Sequence, residues 1–189
     1  MRLPATTSQT VGPYFHLGFS PLYRRDLAGP GVRGQHITIQ GRMLDGEGQP
    51  VPDAVLEVWQ ADANGQYASS IDLQSKRGEA EFLGFGRIPT DADGNFLFST
   101  IKPGSVSAPD GTRQAPHILV SVFARGLLTR LITRIYFPEE LLNEHDFVLR
   151  TVEPGRRGTM MAEPVDGRND AREWNVILQG VDETVFFDC

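Results

Sequence analysis

Residues 51–67 read VPDAVLEVWQADANGQY. The first part of this stretch, Val55–Trp59, is a short run rich in branched and aromatic side chains, which is typical of a β-strand. The tetrad Asp62-Ala63-Asn64-Gly65 follows. Asp and Asn favour turns because their side chains bond nearby backbone, and Gly accepts positive φ angles. The stretch therefore predicts a strand that ends in a turn.

Turn signals of the same kind occur elsewhere in the chain. Turn residues cluster again at Asp45–Gly48 and Asp91–Gly94. Strands do not alternate with long helical patterns, so a doubly wound α/β fold is not expected. Many short strands separated by turns indicate an all-β fold, and we expect a β-sandwich of the prealbumin or immunoglobulin-like type. Further strands are predicted at His36–Leu44, Asn95–Ile101, His117–Ala124, Leu131–Phe137, Glu173–Gln179 and Thr184–Phe187.

The chain divides into an arm and one sandwich domain. Residues 1–34 are rich in Gly and Pro without a sustained period, so we expect an irregular N-terminal arm and loop. Residues 35–189 form the predicted β-sandwich, and the whole is a single domain. Pro138 opens a predicted short helix. Irregular loops are predicted at 68–86, 102–114 and 150–173.

Composition excludes several classes of partner. The chain has 189 residues and a net charge of −6, which argues against nucleic acid as the main partner because phosphate binding needs clustered positive charge. Cys189 is the single cysteine, so neither an internal disulfide nor a thiolate metal cage can form. No apolar run reaches the ~18–20 residues of a membrane helix, and no signal pattern opens the chain. We expect a soluble, cytoplasmic protein.

Two short patterns suggest chemistry but have better structural explanations. Gly29–Gly34 matches G-x-G-x-x-G, yet it neither follows a strand nor opens a helix, so a surface loop is expected instead of a nucleotide site. Glu144-His145-Asp146 offers three polar side chains in sequence. We expect it at a helix end in solvent rather than at a metal.

Longer blocks carry a resemblance to a known family. Residues 41–46 and 51–67, and in particular the run Glu57-Val58-Trp59-Gln60-Ala61-Asp62, resemble the core motif of the intradiol ring-cleaving dioxygenases. The match covers most of residues 8–137 in the family's order. Its later blocks are Gly86-Arg87, Thr90-Asp91, Gly94, Thr100–Gly104, Ala115–Ile118 and Thr133–Phe137.

The resemblance also assigns the positions of an iron site. Catalytic members of the family hold Fe³⁺ with two tyrosines and two histidines, since a hard ferric ion favours anionic phenolate oxygen. Those four places are Tyr67, Val106, His117 and Leu119 here. Two of them cannot donate to a metal, so we expect no metal site in this chain. Tyr67 is then expected at a strand end with its hydroxyl near the surface, and His117 as a hydrogen-bonded interior histidine.

One branch of the family accounts for this loss. Protocatechuate 3,4-dioxygenases contain homologous α and β chains, and only β carries Fe³⁺. The lost ligands, the arm Ser8–Tyr14 and the ending Glu183–Asp188 resemble the α chain, although Cys189 stands where an aromatic is frequent. The resemblance implies a β partner, a larger (αβ)n oligomer, and O₂-dependent cleavage of protocatechuate to 3-carboxy-cis,cis-muconate.

In that branch the α chain borders the pocket that β holds. By position, the bordering residues are Thr10, Gly12, Pro13, Tyr14 and Arg134. Arg134 lies in an otherwise apolar strand, where an arginine needs an anion or an acceptor cluster. It either faces the substrate carboxylate or pairs with a carboxylate of this chain or its partner.

A different class of function remains open. The chain could be a stand-alone β-sandwich binding module that kept the scaffold and lost catalysis. The two hypotheses are discriminated by the presence of a partner chain with both tyrosines and the His-x-His pair intact.

Overall fold

The structure is a computed structural model that describes residues 6–68, 82–108 and 111–188. Eleven strands dominate these residues, with one short α-helix near the start, α1 (Pro13–Phe19). The strands are β1 (His36–Leu44), β2 (Val55–Gln60), β3 (Phe85–Pro89), β4 (Asn95–Ile101), β5 (Val106–Ser107), β6 (Arg113–Gln114), β7 (His117–Phe123), β8 (Leu131–Tyr136), β9 (Glu163–Val165), β10 (Arg168–Glu173) and β11 (Val176–Ile177).

The strands form two main sheets and a small hairpin. In the five-stranded sheet, β1 pairs antiparallel with β4 and parallel with β10 and β11, while β9 pairs with β10. The four-stranded sheet is antiparallel in the order β3-β2-β7-β8. Strands β5 and β6 form the separate hairpin.

The core lies between the two main sheets. Alternation of side chains along each strand sends one set inward. Ile118, Val120 and Val122 of β7 are fully buried, whereas the residues between them are only partly buried. Facing residues of β1 and β4 close the core from the other sheet, including Ile37, Ile39, Phe96 and Phe98. The predicted β-sandwich is confirmed.

Most of the predicted strands are present, but several irregular segments were predicted wrongly. Strands over 36–44 and 95–101 and the paired strands β7 and β8 are confirmed. The predicted loop 68–86 contains the start of β3, and its residues 69–81 lie outside the described residues. The loop 102–114 contains β5 and β6, and the segment 150–173 contains β9 and β10.

The last predicted elements also need correction. Val176–Ile177 is the strand within the predicted 173–179, because Glu173 belongs to β10. No strand forms at 184–187, where Phe187 makes a single bridge to Ile132. The helix expected at Pro138 begins later, as a 3₁₀-helix at Leu141–Glu144. Two more 3₁₀-helices, Leu149–Thr151 and Pro154–Met160, cover the end of β8.

The N-terminal segment is more ordered than expected from its sequence. Pro13 opens α1, and a 3₁₀-helix follows at Ser20–Leu22. Leu27 is 1% exposed and packs in the core, held by a backbone hydrogen bond from its N–H to the carbonyl of Ser99. The division at residue 34 stays a prediction, but part of the segment before it belongs to the core.

No helix in the described part of the chain is long and apolar enough to cross a membrane.

Candidate functional site

The side chains of the four-stranded sheet that point away from the core form what we call the outer face. It is partly covered at one end by α1, where the rings of Phe15 and Phe123 lie 5.8 Å apart, and at the other by the segment 149–160 against Tyr136. A groove of about 470 Å³ lies on this face between α1 and the segment 149–160. The outer face comprises Glu57, Trp59, Phe85, Arg87, His117, Leu119, Ser121, Phe123, Ile132, Arg134 and Tyr136.

Strand pairing gathers most of the residues that the sequence singled out. Leu119 is paired with Trp59 on one side and with Arg134 on the other. Tyr67 stacks on Trp59, with ring centroids 4.4 Å apart and an interplanar angle of 32°. His117 lies two residues before Leu119, on the same face of β7.

Val106 reaches this group through a loop contact. The N–H of Gly104 donates to the carbonyl of Asp62 at 2.8 Å, which seats the loop before β5 on the turn that precedes Tyr67. Val106 pairs with Gln114 of β6, and the amide of Gln114 accepts a hydrogen bond from Arg134. The four positions assigned to iron ligands therefore converge on one end of the outer face.

His117 is buried and electrically neutral. The residue is 3% exposed, and Nδ1 donates to the carbonyl of Ala115 at 2.7 Å, so the neutral ring carries its proton on Nδ1. Burial, assisted by the positive charge of Arg134, lowers the pKa of His117 to about 4. The imidazole is thus uncharged at neutral pH.

The donor set at this end does not fit a ferric ion. Of the four positions, only Tyr67 and His117 carry donor atoms, since the side chains of Val106 and Leu119 are aliphatic. Burial raises the pKa of Tyr67, although Arg134 opposes the shift, so its phenol holds its proton more tightly than usual. Within the described residues, no three His, Cys, Asp or Glu side chains could together hold a metal.

Arg134 has unusual partners for a half-buried cation. Its Nη1 donates to Oε1 of Gln114 at 3.0 Å and to the hydroxyl of Tyr136 at 3.3 Å. Both acceptors are neutral, and no carboxylate of the described residues lies within ion-pairing distance. By contrast, Arg87 on the same face is neutralised by Glu57 at 2.6 Å.

Asp146 is the buried carboxylate that accepts the hydrogen bond from Tyr136, the partner of Arg134. The expectation that it lies in solvent was wrong, because Asp146 is 0% exposed. Its carboxylate accepts the N–H groups of Ala115, Val148 and Leu149 at 2.8–3.0 Å, and the hydroxyl of Tyr136 at 3.1 Å. These four donors stabilise a charge that would otherwise be costly to bury.

The arm residues lie elsewhere on the chain. Oγ1 of Thr10 accepts the N–H of Gly126 at 2.8 Å, which fixes the arm to the turn between β7 and β8. Gly12 precedes α1, Pro13 is its first residue, and Tyr14 is 87% exposed. That turn lies beyond the end of β7 opposite to His117. The structure therefore does not bring the arm to Arg134 within one chain.

Sequence reasoning missed the residues around Arg134. Gln114 fell in a predicted loop, and no pattern there indicates a role. Tyr136 lay in a recognised block but carried no expectation of its own. Asp146 had a usable signal, since an Asp just before a helical turn is a common N-cap, and its carboxylate does accept the N–H groups of Val148 and Leu149.

Comparisons with known proteins give the same picture of the scaffold. The family described as Dioxygenase matches residues 22–180. The protocatechuate 3,4-dioxygenase alpha chain of Pseudomonas putida is 42% identical over 202 residues, covering 98% of this chain and 97% of that protein. The protocatechuate 3,4-dioxygenase beta chain of Burkholderia cepacia is 31% identical over 189 residues, covering 96% and 78% respectively. The dioxygenase domain of a dioxygenase carbohydrate-binding protein fusion from Streptomyces sp. SirexAA-E has a TM-score of 0.64 at 26% identity, covering 96% of this chain and 100% of that one.

Proposed function

The chain belongs to the intradiol ring-cleaving dioxygenase family, and from that premise we propose that it serves as the α-type subunit of a protocatechuate 3,4-dioxygenase. In this assembly a homologous β chain holds the Fe³⁺, and the two chains cleave protocatechuate with O₂ to 3-carboxy-cis,cis-muconate. The near full-length likeness to an alpha chain supports the proposal. The donor set at Tyr67, Val106, His117 and Leu119 supports the placement of iron in the partner.

The proposal rests on the surroundings of Arg134, in which no described carboxylate neutralises the charge. The guanidinium is half-buried on the outer face and is held by two neutral acceptors, Gln114 and Tyr136. A cation in this setting attracts an anion from outside the chain, because no described carboxylate neutralises it. Protocatechuate carries a carboxylate, which an arginine can bind through two parallel hydrogen bonds.

The outer face also suits a protein partner. Trp59 is 43% exposed and lines the groove together with Phe85, Leu119 and Ile132. Exposed aromatic and aliphatic groups of this kind are characteristic of interfaces that a partner covers. In the proposed assembly the β chain covers this face and places the substrate carboxylate beside Arg134. The bordering roles of Thr10, Gly12, Pro13 and Tyr14 stay predictions from the resemblance.

Arg134→Ala in the assembled αβ complex tests the proposal. Truncating one partner of a buried charge pair costs about 2–5 kcal/mol, so KM for protocatechuate should rise well over tenfold. Arg134→Lys should rescue this only in part, because an ammonium lacks the two-pronged geometry. Catechol is the control substrate, since it has no carboxylate. An equal loss of activity on protocatechuate and on catechol would show that Arg134 is structural.

The competing hypothesis is a stand-alone binding module. Co-expression with the β chain separates the two hypotheses, since the proposed subunit should purify with β as an active complex. A stable monomer that does not bind the β chain on a size-exclusion column would favour the binding-module hypothesis.

A further inference from the structure

Among the residues that the structure describes, the hydrogen-bond partners of Arg134 lie on one side of its guanidinium. Nη1 carries two hydrogens, and Gln114 and Tyr136 accept one each, at 3.0 and 3.3 Å. The other edge, formed by Nε and Nη2, makes no hydrogen bond to any residue that the structure describes. That edge presents two parallel N–H groups, the geometry that binds a carboxylate side-on.

The two acceptors differ from the usual partner of an arginine. A carboxylate in either position would form an ion pair and cancel the charge, as Glu57 does for Arg87. An amide and a hydroxyl orient the guanidinium and leave its net charge in place. Gln114 and Tyr136 therefore fix the orientation of the guanidinium without competing with an anionic ligand for its charge.

Asp146 determines which way the hydroxyl of Tyr136 points. A carboxylate can only accept, so the hydrogen of Tyr136 is directed to Oδ1 of Asp146 at 3.1 Å. The lone pairs of the hydroxyl oxygen are then free to accept from Arg134. Burial raises the pKa of Tyr136, so the phenol keeps this hydrogen. The negative charge of Asp146 is itself taken up by three backbone N–H groups.

We infer that Gln114 and Tyr136 are positioning residues that hold Arg134 in place without neutralising it, so that its Nε–Nη2 edge selects ring substrates bearing a carboxylate. The inference deepens the proposed function and rests on it. Neither residue touches the substrate, and both act through Arg134.

Gln114→Glu in the αβ complex is the first test. The change is nearly isosteric, and Gln114 lies half-buried on a two-residue strand, so the fold should tolerate it. The new carboxylate pairs with Arg134 and competes with the substrate. KM for protocatechuate should rise more than tenfold, while kcat/KM for catechol stays within about twofold. An unchanged preference for protocatechuate would overturn the inference.

Tyr136→Phe is the second test, and a double-mutant cycle makes it specific. Removing the hydroxyl should raise KM for protocatechuate about three- to tenfold, because Arg134 loses one of its two hydrogen bonds, which is worth about 0.5–1.5 kcal/mol. If Tyr136 acts through Arg134, the same change should have no further effect in an Arg134→Gln background. A full effect in that background would show a structural role and overturn the inference.

The wild-type complex separates this inference from its premise. If it does not turn over protocatechuate, the proposed function fails and the inference falls with it. If it turns over protocatechuate but neither variant changes the discrimination against catechol, the proposed function stands and the positioning role alone fails.

Discussion

Gly65 lies against the backbone carbonyl of Ser105 so closely that a Cβ atom on residue 65 would overlap that oxygen. The backbone of Gly65 also has a φ of +78°, which L side chains rarely adopt. The contact seats the turn before Tyr67 on the loop that enters β5 at Val106. Two distant segments thus meet at the candidate site because one residue lacks a side chain.

Gly65→Ala should therefore destabilise the protein far more than Gly48→Ala. Gly48 occupies an equivalent turn with a φ of +76°, but nothing lies within 4 Å of its Cβ position. Gly48→Ala should cost about 1–2 kcal/mol for the backbone conformation alone. Gly65→Ala should cost roughly 2 kcal/mol or more beyond that, because the turn and the loop must separate. Urea unfolding followed by tryptophan fluorescence measures both, and equal costs would contradict the close contact.

His117 should make stability depend on pH in the acid range. The pKa of His117 in the folded chain is about 4, below the ordinary value near 6.5. Between these two pH values the unfolded chain therefore binds a proton at His117 and the folded chain does not. The free energy of unfolding should fall as pH drops from about 6.5 to 4, by up to about 3 kcal/mol from this group. Urea unfolding at several pH values gives the slope.

A variant isolates the contribution of His117. In His117→Asn the amide nitrogen takes the place of Nδ1 as the donor to Ala115, and the side chain does not titrate. The variant should lose most of the acid slope between pH 6.5 and 4. His36→Asn is the matched control at an exposed histidine and should keep the slope of the wild type. Identical slopes in wild type and His117→Asn would be the contrary result.

An ion cluster should stabilise the junction of the two sheets. Nζ of Lys102 lies 2.9 Å from Glu139 and 2.5 Å from Glu140, and Arg172 lies 3.0 Å from Glu139. Burial opposes ionisation of Glu139, but hydrogen bonds from Lys102 and Arg172 hold its pKa below the ordinary value. Its contribution is therefore present at neutral pH and is lost as pH falls through that lowered pKa.

Glu139→Ala should cost about 1–3 kcal/mol, because it leaves the buried Arg172 without its carboxylate. Glu140→Ala is the matched control and should cost less than about 1 kcal/mol, since Lys102 still forms its ion pair with Glu139. Thermal unfolding of both variants at pH 7 measures the difference. Similar losses in the two variants would mean that Arg172 does not depend on Glu139.

The isolated chain should bind no stoichiometric iron. Val106 and Leu119 supply no donor atom where the resemblance places two of four ligands, and Tyr67 and His117 alone leave a ferric ion undercoordinated. Metal analysis and visible absorption of the purified chain check this, with the αβ complex as the iron-containing control. One iron per isolated chain, with tyrosinate-to-iron colour, would refute the expectation.

The sequence predicted the parts of the fold that depend on local pattern. Strands with apolar alternation, such as β1, β4 and β7, were found close to their predicted bounds. Strand β10 was missed because its residues RNDARE are mostly polar, and its place in the sheet comes from backbone pairing with β1. A strand can join a sheet by backbone hydrogen bonds whatever its side chains, so hydrophobic periodicity did not reveal it.

Residue types and their spacing were sufficient to predict the β-sandwich, the likeness to the intradiol family and the identity of the residues at the four ligand positions. The environment of Arg134, by contrast, became known only from the folded chain. The partners of its guanidinium, Gln114 and Tyr136, and the buried Asp146 behind them belong to different segments that strand pairing and a helical turn bring together. Whether a charge is neutralised depends on which groups lie within about 4 Å, and this distance is set by packing rather than by position along the chain.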